Sequence, residues 1–258
     1  MVTVCKLGGS VITEKDRAET LDGPALDRAA DAIADAVNAT AGTDGAETTD
    51  APADLVIVHG GGSFGHHHAG RHGVSNESGT GDAGAAVEIH GAMTTLNRFV
   101  LKRLQDRDVP AVPVHPLSLA HRDASGGLTL PAGGVEALLD EGFVPVLHGD
   151  VVPHAGAGVT VLSGDEIVAH LADALGADRV GLCSTVPGVL DADEEVIDRI
   201  EEYGAVADAL GDSAATDVTG GMAGKVRALL AMDAPAWVFD LDGLGAFLGG
   251  ESPGTRID

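Results

Sequence analysis

Leu55-Val56-Ile57-Val58-His59-Gly60-Gly61-Gly62-Ser63-Phe64-Gly65-His66 is a short apolar run that stops on three glycines. An uninterrupted apolar run, with no polar alternation, is the pattern of a strand buried on both faces. Such strands belong to parallel sheets covered by helices. The glycines matter for a second reason. In open α/β sheets ligands gather at the carboxyl ends of strands. Backbone N–H groups left unpaired there, and at the start of a following helix, attract anions. A Cβ would hinder both the tight turn and the close approach of a phosphate.

Working outward, the same plan appears twice more, in Val2–Ser10 (Val-Thr-Val-Cys-Lys-Leu-Gly-Gly-Ser) and in Val144–Asp150 (Val-Pro-Val-Leu-His-Gly-Asp). Neither the P-loop, which closes on Gly-Lys-Ser/Thr, nor the Gly-x-Gly-x-x-Gly dinucleotide fingerprint is matched. Strands are expected at 2–7, 55–59, 111–114, 144–147, 179–183 and 236–239, with hairpin strands at 128–130 and 158–162. Helices are expected at 24–38, 85–107, 133–140, 165–176, 206–210 and 221–232. Strands alternating with Ala/Leu-rich helices give an α/β fold with a mainly parallel central sheet. Residues 40–53 read as a solvated connection and 71–84 as a flap; neither divides the chain, so residues 1–258 are expected to form a single domain.

The charge pattern adds a chemical clue. Forty Asp and Glu face only 15 Lys and Arg, for a net charge of −25. That balance excludes nucleic-acid binding and anionic membrane surfaces, both of which need basic side chains. With 44% apolar residues the chain folds rather than staying disordered. Lysine occurs only at positions 6, 15, 102 and 225, and three of the four flank glycine-rich turns. A compact ammonium beside a glycine turn suits phosphate oxygens. Cys5 and Cys183 lie in strand-like runs and read as buried free thiols. The first residues enter a strand without a basic, apolar leader, and no run of about 20 apolar residues appears, so a cytoplasmic protein is expected.

The quoted motifs resemble the amino acid kinase superfamily and, within it, the archaeal isopentenyl phosphate kinases. The residues that carry the resemblance are Lys6–Ser10 with Lys15, Val58–His66, Val144–Asp150, Leu162–Ile167, Asp217–Met222 with Lys225, and Gly254–Ile257. Gly-Ser-Phe-Gly-His at 62–66 is the most specific of them. The resemblance implies a three-layer αβα sandwich, a homodimer, ATP with Mg²⁺, and transfer of the γ-phosphoryl group to isopentenyl phosphate. By position, Lys6, Lys15 and Lys225 are expected on the ATP phosphates and the transferring group. Leu7, Gly8, Gly9, Ser10, Gly62, Thr185, Gly188 and Gly221 complete the expected ATP contacts. Gly61, His66 and Gly164 are expected on the acceptor, and Asp165 orients the lysines. No residue is assigned as a direct protein metal ligand; Asp150 and Asp165 stay open as contacts to Mg²⁺ through water.

Two departures stand out. Thr185-Val186-Pro187 replaces a common Asp-Val-Asp, and Ala223 stands where a lysine can occur. The other histidines near His66, namely His67, His68 and His72, read as a solvated cluster rather than a metal site. His59 and His148 read equally as packing or as ligand contacts. Met93, Leu96 and Phe99 on one helix read as core, or as the lining of a hydrocarbon-tail pocket. Other acceptors (phosphonate, nucleoside monophosphate, carbamate or acylglutamate) and a non-catalytic nucleotide sensor stay open on this reading.

Acidic excess with scarce lysine also matches proteins of salt-loving microbes. At molar salt the Debye length falls to about 3 Å, which screens surface self-repulsion. The melting temperature is therefore expected to climb as KCl is raised from dilute buffer to molar concentration. A melting temperature indifferent to salt over that range refutes this reading.

Overall fold

The computed structural model describes residues 1–41, 54–207 and 221–258, with no account of the side chains of 40, 41 and 221. The strands are β1 (Val2–Leu7), β2 (Asp54–His59), β3 (Ala111–Pro113), β4 (His121–Arg122), β5 (Leu128–Thr129), β6 (Val144–His148), β7 (Asp150–His154), β8 (Gly158–Leu162), β9 (Arg179–Cys183), β10 (Arg199–Ile200), β11 (Ala236–Phe239) and β12 (Thr255–Ile257). The helices are α1 (Gly9–Ile12), α2 (Gly23–Ala41), α3 (Gly62–His72), α4 (Ala83–Gln105), α5 (Gly133–Asp140), α6 (Gly164–Leu175), α7 (Gly221–Leu230) and α8 (Leu244–Leu248).

The central sheet runs β10-β12-β11-β9-β1-β2-β6-β3, parallel except where β11 meets β12. Its strands alternate side chains between two cores. Cys5, Leu7, Leu55, Ile57, Val146, Trp237 and Phe239 face one helical layer, built by α2, α4 and α8. Val4, Val56, Val58, Leu147, Val180, Leu182 and Val238 face the other, built by α5, α6 and α7. Both faces are thus covered, which is the three-layer αβα arrangement and the reason the strands read as unbroken apolar runs. Burial of both layers leaves the carboxyl ends of β1, β2, β6 and β9 side by side at one edge of the sandwich.

A second sheet, β5-β4-β7-β8, grows directly out of the first, because β6 ends at His148 and β7 starts at Asp150. The pattern 158–162 pairs with β7, a strand that sequence reading misses. Pro153 sits inside β7, and a proline demotes a run as a strand candidate.

The structure departs from expectation in three other places. Residues 62–72 form a helix, although the glycines read as a turn. Gly65 explains this: a Cβ there would meet Met93 Sδ at 2.6 Å, so its absence lets α3 pack against α4. That contact outweighs the poor helix propensity of glycine. Second, the expected flap is pinned: Thr80 bridges Val159, Val161 N–H donates to the Ser75 carbonyl, and Val74 is buried. Third, Val206 follows a 3₁₀ turn at Tyr203–Ala205; the rest of the helix expected there, residues 208–210, lies outside the described residues, as do the connection at 42–53 and Asp217–Gly220. Cys5 and Cys183 are buried and free, and burial pushes the Cys183 thiol up to about 12. Among the described residues no helix is long and apolar enough to cross a membrane.

Candidate active site

The turns after β1 and β2 touch backbone to backbone. A Cβ on Gly9 would lie 2.1 Å from Gly62 N, and one on Gly60 would lie 2.7 Å from Gly9 N. Gly62 itself has φ +48, and a Cβ there would strike Thr13 Oγ1 at 2.2 Å. Thr13 ties the two turns together. Its hydroxyl donates to the Gly9 carbonyl at 2.8 Å and accepts from Ser63 N–H at 3.0 Å. Gly9 and Gly62 open α1 and α3, so their first N–H groups have no intrahelical acceptor.

Lys6, the penultimate residue of β1, is only 8% exposed. Its Nζ stands 3.0 Å from Asp165 Oδ1 in the first turn of α6. That contact lies off the hydrogen-bond axis, since Oδ1 has no properly directed donor. The pair is held by charge, and the ammonium keeps its N–H groups for another acceptor. α6 is fixed by a capping box in which Ser163 accepts from Glu166 N–H while Glu166 Oε2 accepts from Ser163 N–H. Glu166 also pairs with the buried Arg122 at 2.7 Å.

Lys6 and Lys225 line one cleft with Gly8, Leu182, Cys183, Ser184 and Val238. Lys225 arrives from α7 and Lys6 from β1, so two of the three expected lysines converge. Lys15 does not line that cleft. It lies exposed in the loop between α1 and α2, whose base is clamped to α3 by Glu19 N–H on the Ser63 carbonyl and by Ser63 Oγ donating to Thr20 O. Leu7 is buried, so only its backbone faces this region. The Gly8 N–H is spent on the Cys183 carbonyl at 2.8 Å. Ser10 is exposed in α1. Thr185 is exposed next to the cleft residue Ser184. Gly188 is buried against Thr255 and Val196, where a Cβ would meet side chains at 2.7 and 2.6 Å.

A cluster of glycines from separate turns adjoins this cleft through the Lys6 stem. A Cβ on Gly149 would lie 3.5 Å from Gly164 N and 4.0 Å from Gly61 N, and one on Gly164 would lie 3.0 Å from Lys6 Cε. Gly61, Gly149, Gly164 and the Lys6 stem therefore surround one point. His66 sits exposed on the first turns of α3. Beside them lies a small apolar cluster separate from both layers: Ala69, Val74, Ile89 and Val151, flanked by Leu117, Val159 and Val161. Met93 and Leu96 belong instead to the α2–α4 core, and Phe99 is half exposed.

Sequence reading undervalued the histidines at the ends of β2 and β6. His59, His90, His115 and His148 pack with ring centroids 5.2–6.3 Å apart. The first and last end the neighbouring strands β2 and β6, and each precedes a glycine, which was the available signal. Asp150 is fully buried and accepts from His90 Nδ1 at 2.9 Å, Val151 N–H at 2.9 Å and Leu117 N–H at 3.3 Å. The Asp150 carboxylate holds His90 above the ordinary histidine range. Burial pushes His59 down to about 4 and His148 well down; burial and the neighbouring His90 lower His115. His68 bridges Glu19 and Glu88 at 2.9 Å each, and His72 meets Glu88 at 2.7 Å, so these two rings are held by carboxylates rather than left to solvent. Among the described residues no group of three or more His, Cys, Asp or Glu is placed to hold a metal ion.

Residues 1–233 match the family model of the amino acid kinase family. The isopentenyl phosphate kinase of Haloferax volcanii is 58% identical over 256 residues, covering 99% of this chain and 98% of that protein. The isopentenyl phosphate kinase of Methanocaldococcus jannaschii is 32% identical over 267 residues, covering 100% and 99%. Among solved structures, one described as X-ray structures of isopentenyl phosphate kinase superposes with a TM-score of 0.82 at 28% identity, over the whole of both chains.

Two outcomes test this geometry. Thr13→Val keeps the shape but strands the Gly9 carbonyl and the Ser63 N–H, so it should cost about 1–3 kcal/mol in denaturant unfolding; an unchanged midpoint would show that the turns hold without the hydroxyl. The histidines set a pH dependence. His59, His148 and His115 resist protonation when folded, so below pH 6.5 the unfolded chain binds protons first and stability falls toward pH 4. His90 acts oppositely: its contribution is complete below 6.5 and is lost as pH rises through its raised value. His90 is protonated in both states across the lower window and adds no slope there, so the stability of the fold in molar KCl should drop between pH 6.5 and 4.5, by up to about 1.4 kcal/mol per pH unit for each ring held neutral. A flat profile over that window counts against neutral, buried rings.

Proposed function

The chain belongs to the amino acid kinase family, and on that footing we propose that it transfers the γ-phosphoryl group of ATP to isopentenyl phosphate, giving isopentenyl diphosphate and ADP. The observation that carries this is the position of Lys6. Its side chain lines the Lys225 cleft and also stands against Gly164 in the adjoining glycine cluster. One ammonium thus lies between a site suited to the donor phosphates and a site suited to the acceptor.

The donor cleft takes the ATP phosphates on Lys6, Lys225 and the first N–H groups of α1 and α3, contributed by Gly9, Ser10 and Gly62. Lys15 reaches the transferring group only by a movement of its loop tip, since its base is fixed on Ser63. Mg²⁺ would come as a companion of the nucleotide, with Asp165, beside Lys6, as the nearby carboxylate that would help hold it, and it would supply charge neutralisation. Asp150 is not available to it, because its oxygens are taken by His90, Leu117 and Val151.

The acceptor phosphate sits between Gly61 and Gly164, with His66 donating from α3. One of its oxygens forms the new P–O bond as the bond to the ADP oxygen breaks. The acceptor is already an anion, so no proton has to be removed and no general base is needed. The barrier is the repulsion of two polyanions, which fixed positive charge and aligned N–H groups reduce. The alkenyl tail lies against Ala69, Val74, Ile89 and Val151, next to the phosphate site. This apolar wall, together with relatives named for isopentenyl phosphate, favours that acceptor over carbamate, acylglutamate or a nucleotide.

His66→Ala should lower kcat/KM for isopentenyl phosphate by about 10²–10³-fold in high salt while leaving the affinity for ATP near wild type. Coupled ADP release, run beside ATP titration calorimetry, reads both. Wild-type efficiency in the variant removes His66 from the acceptor site, and wild-type turnover only on a different acceptor overturns the substrate assignment.

A further inference from the structure

The four-histidine cluster has no part in the transfer as described, yet two of its rings are among the most buried polar groups of the described residues. His59 and His148 are both 0% exposed. Packing alone does not account for them, because an apolar side chain would fill the same space without the cost of burying ring nitrogens. What distinguishes them is the direction of their bonds. His59 Nδ1 meets the carbonyl of Gly60 at 3.1 Å, and His148 Nδ1 meets the carbonyl of Gly149 at 2.8 Å. Each ring therefore holds the peptide of the glycine that follows it.

Both rings are neutral at neutral pH, because burial depresses them. A neutral imidazole bound to a carbonyl through Nδ1 carries its proton there, and Nε2 becomes an acceptor. The surroundings fit that tautomer. His148 Nε2 faces His115 Nδ1 at 2.9 Å and accepts from it. His59 Nε2 faces Asn97 Oδ1 at 3.2 Å, and the Asn97 amide nitrogen is buried without a partner. Turning that amide over, an exchange of O and N that leaves its shape unchanged, gives the nitrogen a bond and makes Asn97 the donor to a bare Nε2. The rings of His59 and His148 also stack at 5.6 Å and 30°, so neither swings alone.

In a trans peptide the C=O and the next N–H point in opposite directions, and no cis bond occurs among the described residues. Fixing the Gly60 carbonyl toward His59 therefore fixes the Gly61 N–H away from it, on the side where Gly149 and Gly164 complete the glycine cluster. Glycine has the widest choice of backbone angles, so three in succession need an external constraint to keep one peptide orientation. We propose that His59 is a positioning residue for phosphoryl transfer, acting through the Gly60 carbonyl to aim the Gly61 N–H at the acceptor phosphate, with His148 and Asn97 holding its ring. The inference rests on the acceptor site assigned above and deepens it.

The test exploits side-chain geometry. The amide nitrogen of asparagine overlays the Nδ1 position of histidine, and that of glutamine overlays Nε2. His59→Leu and His59→Gln should lower kcat/KM for isopentenyl phosphate by about 10–100-fold, mostly through KM, with the KM for ATP within about twofold of wild type. His59→Asn should restore most of that loss. Equal kinetics in all three variants, or equal losses toward both substrates, would overturn the assignment, as would an Asn variant no better than Leu. The ¹⁵N resonances of His59 in the wild-type enzyme give a second measurement that depends neither on variant folding nor on the acceptor. They should report a protonated Nδ1 and a bare Nε2 at pH 7, and the reverse tautomer would sink the proposal. Absence of wild-type turnover on isopentenyl phosphate, with the Nδ1–H tautomer present, would instead count against the substrate and leave the aimed peptide standing.

Discussion

Gly9 and Gly62 meet where no side chain fits, and the rest of the site is laid out from that contact. Each ends a turn that follows a central strand and starts a helix, so the two chains cross at their backbones rather than through side chains. Any Cβ at Gly9 would fall far inside van der Waals contact with a neighbouring nitrogen, which forces strands and helices apart at the carboxyl edge. Thr13 then acts as a side-chain tie between the turns, because its hydroxyl can serve a carbonyl on one side and an N–H on the other. From this junction the first turns of α1 and α3 lie next to each other, which brings their unpaired N–H groups to one place.

Charge is organised around the same edge. The chain carries a net −25, yet the described cleft presents Lys6 and Lys225 to a polyanion. Long-range attraction does not bring ATP to an acidic protein, so recognition depends on contact and on salt that screens the surface. Lys6 is buried enough to escape much of that screening, and Asp165 compensates it without locking it. An off-axis ion pair leaves the ammonium hydrogens free to turn toward phosphate. The likeness to a Haloferax volcanii protein fits the salt-adapted composition, and scarcity of lysine makes the retained ones stand out.

How much of this the residues disclose depends on the kind of signal. Strands buried on both faces announce themselves by unbroken apolar runs, so β1, β2, β6, β9 and β11 were legible nearly to the residue. Helix α3 was not, because its glycines argue locally for a turn and only the packing of Met93 against Gly65 reverses that. Strand β7 was hidden by Pro153, and the pinned segment after α3 by a composition that reads as loop. At the site, Lys6, Gly8 and Lys225 were legible as glycine-flanked members of one cleft, whereas Gly8 turned out to spend its N–H on Cys183 and Gly188 to lie packed under Thr255. Asp150 reads as an open metal contact in the sequence and proves to be the buried partner of His90.

The histidines illustrate why such residues resist reading from sequence. His59 and His148 are far apart along the chain, and only parallel pairing of β2 with β6 places them directly across from each other. Lying in register on one face of the sheet, they stack, and each is followed by a glycine that turns away from its strand. A strand end has no further ladder partner for its last carbonyls, so some other donor must hold them. Lysine or arginine would serve as a donor but would bring a second buried charge next to Lys6, weakening the hold on Asp165. Serine is too short to reach past its own backbone to the next carbonyl while also filling the space between sheet and α4. A neutral imidazole donates from one nitrogen, accepts on the other and fills the gap with a flat apolar ring. The requirement is therefore set by the neighbouring ammonium: the closer a buried charge lies to a glycine turn, the more the turn must be fixed by groups that carry none.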